Sequence, residues 1–212
     1  CVAHEVSRLG ELVASPTLDE AEALSAEVLP FLDACRFLER EASHILSERR
    51  VFGKSVGWFG SSESVWEQRE AFGVVGIIAP SNYRFFIGAV QVLQALVAGN
   101  GVVWKPGLGG GPAAGFLRNA WEQSGGTPRG LKVLDEGAEA GMALVEGRPD
   151  LLVFTGSSET GLKVAERCGA LGIPTIIEAS GCDAMFILED ADLLLAAKAL
   201  VFGLRLNAGR TC

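Results

Sequence analysis

From Phe72 onward, short continuous apolar runs alternate with amphipathic stretches of helical length, a rhythm that few architectures accommodate. Runs at Val74 to Ala79, Val102 to Trp104, Leu131 to Leu134, Leu151 to Phe154, Thr175 to Ile177 and Met185 to Leu188 have the length of strands buried on both faces. The stretches between them, at 86–98, 112–124, 137–147, 158–169 and 191–204, have the spacing of helices. Strands alternating with helices require right-handed crossovers, so the predicted fold class is α/β, built on a doubly wound parallel sheet. Such sheets bind ligands at the carboxyl ends of their strands, which is where candidate residues are sought.

Ahead of this region, apolar residues from Leu18 to about Arg50, among them Leu24, Val28, Phe31, Leu32 and Cys35, recur at three- and four-residue spacings. They predict a helical N-terminal segment, which Pro30 is expected to divide into two helices or kink. Residues 51–70, rich in glycine and serine, suit a connector with room for a small hairpin. The expected division is therefore 1–70 and 71–212.

Composition narrows the function. With 49% hydrophobic residues in 212, the chain can bury a substantial core. A net charge of -8 offers no footprint for a nucleic-acid backbone or an anionic membrane, so neither is expected as a partner. No apolar run is long enough for a membrane-spanning helix. Cysteines at 1, 35, 168, 182 and 212 form no Cys-x-x-Cys pair and are expected to be reduced thiols of a cytoplasmic protein. Only His4 and His44 are present, with no ligand cluster, so metal and seryl chemistry find no support. A start on Cys1 and a stop on Cys212 read as a portion of a longer chain.

Five places carry candidate chemistry, each with a plain alternative. After Leu151–Phe154, the turn Thr155-Gly156-Ser157-Ser158 lets backbone approach a diphosphate at a helix start; a serine-capped turn is also ordinary architecture. Lys105 ends a strand where a nucleotide would lie, or is simply solvated. Asn82, after Ala79-Pro80-Ser81, has an amide able to donate to an oxyanion, or merely suits a turn. Glu178 ends an apolar run, where partial desolvation would suit a general base, or it is an ion-paired or capping side chain. Cys212 follows a glycine turn, with Arg210 nearby to favour thiolate, or is an inert thiol.

In order and spacing, Asn82, Lys105, the turn from Thr155 to Gly161, Glu178 and Cys212 resemble the motifs of the aldehyde dehydrogenase superfamily. So do Phe72–Pro80, Ala98–Pro106, Phe154–Ser158 and Glu189–Leu193. The resemblance implies a Rossmann-like dinucleotide-binding domain over 71–212 that runs into a largely absent catalytic domain. It implies Cys212 as nucleophile, Asn82 as oxyanion donor and Glu178 as the base that activates water. NAD or NADP would be held by Ala79, Pro80, Lys105, Pro106, Gly156 and Ser157. The implied substrate is a small-molecule aldehyde oxidised to a carboxylic acid, and the implied full-length assembly is a homo-oligomer.

The chain departs from the family pattern at several points. Ser81 stands where the family often has tryptophan, and Arg84 where it has proline. The loop Gly107-Leu108-Gly109-Gly110-Gly111 carries no ribose-binding carboxylate. Ala179-Ser180-Gly181-Cys182 replaces leucine-glycine-glycine-lysine, and Arg210 replaces glutamine. These changes fit a competing reading, a non-catalytic nucleotide-binding or assembly module. Joint retention of Asn82, Glu178 and Cys212 opposes it, and Glu178 also argues against an acylating relative.

Overall fold

The computed structural model describes residues 5–51, 65–181 and 183–211. Cys1, His4, residues 52–64, Cys182 and the expected nucleophile Cys212 lie outside the described residues.

The N-terminal segment begins with a helix that the apolar pattern did not include, α1 (Val6–Val13). The predicted stripe then forms α2 (Glu20–Ala23), a π-turn (Leu24–Val28) and α3 (Leu29–Leu46), joined without a break. Asp19 starts α2 by accepting the Glu22 N–H at 2.8 Å. Pro30 does not divide the helical path. It sits in the first turn of α3, where a missing N–H costs nothing, and the irregularity lies one turn earlier in the π-turn. Next, β1 (Arg49–Val51), which starts two residues ahead of the expected connector, pairs antiparallel with β2 (Val65–Glu67), and Arg49 meets Glu67 at 2.7 Å.

Five parallel strands follow: β3 (Val74–Ile78), β4 (Gly101–Lys105), β5 (Leu131–Val133), β6 (Leu151–Thr155) and β7 (Thr175–Glu178), in the order β5-β4-β3-β6-β7. Intervening helices are α4 (Phe86–Val97), α5 (Gly111–Gln123), α6 (Ala138–Glu146) and α7 (Ser158–Leu171). The two-residue period of the strands sorts their side chains into two cores. Val75, Ile77, Val102, Trp104, Leu131 and Leu151 join α4, α5 and the N-terminal helices on one face. Ile78, Leu152 and Phe154 pack with α6 and α7 on the other. The chain leaves β3 toward β4 on one side and later returns to β6 on the other, which makes the gap between β3 and β6 the topological switch point.

Two expectations fail at the β7 edge. Met185 to Leu188 is not a strand: it lies beyond the edge, has no described strand to pair with, and Phe186 is 86% exposed. An apolar run alone cannot form a ladder without a neighbour's backbone. For the same reason β7 is not buried on both faces; Thr175, Ile176 and Glu178 are exposed. Beyond it, α8 (Leu193–Arg205) is capped by Asp192 but buries none of its residues, and a 3₁₀ turn (Leu206–Gly209) ends it.

One buried carboxylate ties the N-terminal segment to the sheet. α4 has no capping side chain of its own. Glu27, turned inward by the π-turn and fully buried, accepts the N–H groups of Phe85 and Phe86 at 2.8 and 3.0 Å. Burial pushes its carboxyl pKa up, against the two amide hydrogen bonds and the attraction of Arg84. A raised carboxyl favours the protonated folded state. Its contribution is complete below the ordinary glutamate value and is lost as pH rises through the raised one. Glu27→Ala should cost about 1–3 kcal/mol in urea denaturation by stranding two amides. Glu27→Gln should gain stability relative to wild type as pH rises from about 4 to about 8. A pH-independent difference between those two proteins would contradict the burial argument.

Candidate active site

A single cleft of about 800 Å³ opens over the carboxyl ends of the strands, at the switch between β3 and β6. Its walls include Ala79, Pro80 and Asn82 after β3, Lys105 at the end of β4, Gly156 and Ser157 after β6, and Glu178 at the end of β7. Arg210 and Thr211 close one end. The candidate residues drawn from distant parts of the sequence thus line one cleft, with two exceptions. Pro106 is buried and does not line the cleft, and Cys212 lies outside the described residues, directly after Thr211.

The approach to Cys212 is strapped down. After α8 the chain turns through Asn207 and Ala208, both left-handed at φ 50 and 52, a region asparagine tolerates better than most residues. Asn207 is fully buried; its N–H donates to Glu22 at 2.9 Å and its side-chain amide donates to the Asn82 carbonyl at 2.7 Å. In return, Asn82 Nδ2 donates to the Arg210 carbonyl at 2.8 Å, and the Tyr83 and Thr211 hydroxyls lie 2.8 Å apart. The Arg210 guanidinium donates to Asn207 and, at 3.0 Å, to Thr17, all neutral acceptors. Asn207 had not stood out in the sequence, because a turn asparagine and a buried pivot look identical until the partners 125 residues away are known.

Around the β6–α7 turn, Gly156 donates its N–H to the Glu178 carbonyl at 3.0 Å, and a Cβ there would press on the Phe154 ring at 2.8 Å. Ser157 caps α7, accepting from the Thr160 N–H at 3.3 Å and donating to its hydroxyl at 3.0 Å. The plain reading of this serine therefore holds, and its exposed position leaves it facing the cleft. Glu178 is exposed rather than partly desolvated, because β7 is the sheet edge and no described residue covers its end.

On the opposite side, Lys105 is half-buried. Burial draws its ammonium pKa down while the Glu136 carboxylate opposes the shift. Glu136 is the second residue sequence reasoning missed. It projects from just beyond β5 and accepts the N–H groups of Gly109 and Gly111, each at 2.6 Å. The glycine loop carries no carboxylate, yet one arrives from the neighbouring strand.

A parallel α/β sheet with a cleft at its switch point defines a ligand-binding domain of the doubly wound type. The sequence profile of the aldehyde dehydrogenase family matches residues 3–212, and the chain belongs to that family. It is 34% identical over 193 residues to a 4,4'-diapolycopene aldehyde oxidase of Methylomonas sp., covering 90% of this chain and 36% of the relative. It is 35% identical over 147 residues to an NAD(+) benzaldehyde dehydrogenase of Pseudomonas putida, covering 68% and 30%. An aldehyde dehydrogenase from Mycobacterium tuberculosis, solved in complex with NAD+, superposes with a TM-score of 0.89 at 28% identity, over 100% of this chain and 43% of that one. The chain thus spans about a third of the length of these curated relatives. No helix among the described residues is long and apolar enough to cross a membrane.

Proposed function

We propose that this chain supplies the dinucleotide-holding and nucleophile-bearing part of an NAD(P)-dependent enzyme that oxidises an aldehyde to a carboxylic acid. The observation that carries the reading is the bond from Asn82 Nδ2 to the Arg210 carbonyl, which sets an amide donor two residues from Cys212. A dinucleotide fits the donor set of the cleft: an ammonium at one end, a close-approach glycine and a hydroxyl at a helix start, and apolar walls at Ile78 and Ala79. The volume lies within the roughly 300–1,000 Å³ of small-molecule sites.

The Cys212 thiolate attacks the aldehyde carbon to form a thiohemiacetal. Asn82 Nδ2 has a second proton beyond the one given to Arg210, and with the Cys212 N–H it holds the oxyanion. A bound dinucleotide would supply the hydride acceptor that turns the thiohemiacetal into a thioester on Cys212. Glu178 then takes a proton from the water that opens the thioester and releases the acid. Lys105 would hold the ribose end and Ser157 the diphosphate. The names of two relatives, a 4,4'-diapolycopene aldehyde oxidase and a benzaldehyde dehydrogenase, support an aldehyde substrate without choosing one.

The test is quenching of the four tryptophans on titration with NAD and NADP. Wild type should saturate, and Gly156→Val should weaken binding by at least about tenfold, because its side chain collides with Phe154 and fills the approach to the diphosphate. Absence of saturable binding by either dinucleotide would leave a scaffold that keeps the fold without the cofactor.

A further inference from the structure

By sequence, the carboxylate-free glycine loop after Lys105 leaves room for a 2′-phosphate, with dual cofactor use or weakened binding equally open. In the structure that opening is filled. The N–H groups of Gly109 and Gly111, on the approach to α5 and at its first residue, are both spent on Glu136 at 2.6 Å, and the Gly110 N–H is spent on the Gly107 carbonyl at 2.9 Å. A Cβ on Gly111 would meet Glu136 Oε1 at 2.5 Å, so the glycine is what lets the carboxylate come in so close. Glu136 also lines the cleft and faces the field of the Lys105 ammonium.

We infer that Glu136 is the residue that selects NAD over NADP, standing in from the end of β5 for the carboxylate that the glycine loop lacks. The inference rests on the cleft being a dinucleotide site, as proposed above. Each carboxylate oxygen has a lone pair beyond the one given to a loop amide, and a ribose hydroxyl can donate to it. A 2′-phosphate, carrying about -1.5 to -2 charge, meets the opposite conditions. It faces a carboxylate and finds the Gly109, Gly110 and Gly111 amides occupied; of the nearby cations, Lys105 is already offset by Glu136, and Arg84, packed on Gly109, is drawn toward the buried Glu27. A carboxylate that served only to clamp the loop would hold the same two amides but would leave the choice of cofactor unaffected.

The experiment is equilibrium titration of the full 212-residue chain with NAD and with NADP, read by tryptophan fluorescence, for wild type and Glu136→Gln. Wild type is expected to bind NAD at least about tenfold more tightly than NADP. Glu136→Gln removes the charge at nearly constant shape and should weaken NAD, strengthen NADP and bring the ratio toward one. Equal wild-type affinity for the two overturns the inference without any variant, so a Glu136→Gln protein that fails to fold does not protect it. A variant that melts as wild type and keeps the wild-type ratio also overturns it, leaving Glu136 as a loop clamp. If neither dinucleotide binds wild type, the dinucleotide reading of the cleft fails and this inference fails with it.

Discussion

Trp104→Ala should lower the unfolding free energy by about 3–5 kcal/mol. The indole is fully buried in the middle of β4, with β3 and β5 on either side and α4 laid across it. The approach is so close that a Cβ on Gly88 of α4 would meet Trp104 Nε1 at 2.7 Å and Ala79 Cβ at the same distance. Removing the ring therefore leaves a void between a strand and a helix that are both fixed elsewhere, and neither can collapse into it. Trp104→Phe separates volume from polarity. Trp104 Nε1 finds no acceptor among the described residues, so the phenylalanine variant sheds a stranded N–H while losing only part of the volume, and should cost less than about 2 kcal/mol. Urea denaturation of the three proteins checks both numbers. An alanine variant within about 1 kcal/mol of wild type would mean that the indole is not enclosed between β4 and α4.

Most of the sheet was legible because its strands are short apolar runs and its helices amphipathic stretches, the two periods that local sequence encodes most strongly. The runs at Val74, Val102, Leu131, Leu151 and Thr175 all became parallel strands, with the intervening helices within a few residues of their expected bounds. Legibility failed where a partner decides the outcome. Met185 to Leu188 has the composition of a strand, and only the absence of a described neighbour shows that it is not one here. Pro30 has the identity of a helix breaker, but a proline in a first turn breaks nothing, and the π-turn before it sets the register. α1 went unread because its eight residues give too short a window for a periodic signal.

The site divides along the same line. Asn82, Lys105, Gly156, Ser157 and Glu178 were found because their motifs sit at strand ends, and a parallel sheet brings strand ends together. Asn207 and Glu136 were not, since each owes its position to bonds with residues far away in sequence: Glu22 and Asn82 for one, Gly109 and Gly111 for the other. The departure at Arg84 also becomes intelligible only in three dimensions. Its guanidinium lies against Gly109, where a Cβ would approach it to 2.6 Å, and its charge attracts the buried Glu27 carboxylate. The unusual glycine loop and the unusual arginine are thus parts of one packing arrangement.

That arrangement makes Gly107 the most exacting position in the cleft wall. Gly107→Ala is expected to cost about 3 kcal/mol, the upper end for overpacking, and to weaken dinucleotide binding by more than about tenfold. The reason is space, since the Gly107 φ is not in the left-handed region. A Cβ there would overlap the Pro80 carbonyl and come within 2.9 Å of Ser81 Cα, so the obstacle is backbone and cannot swing aside. The loops after β3 and β4 would have to part just beyond their last shared bond, from the Ala79 N–H to the Lys105 carbonyl at 3.0 Å. Parting them moves Pro80 and Lys105, which both line the cleft, in one step. Gly115→Ala, in α5 with nothing within 4 Å of its Cβ, is the matched control and should instead stabilise by about 0.5–1 kcal/mol. Thermal melts and NAD titrations of the two variants should therefore move in opposite directions in stability, with binding lost only for Gly107→Ala. Equal behaviour of the two would show that the loops after β3 and β4 do not meet backbone to backbone.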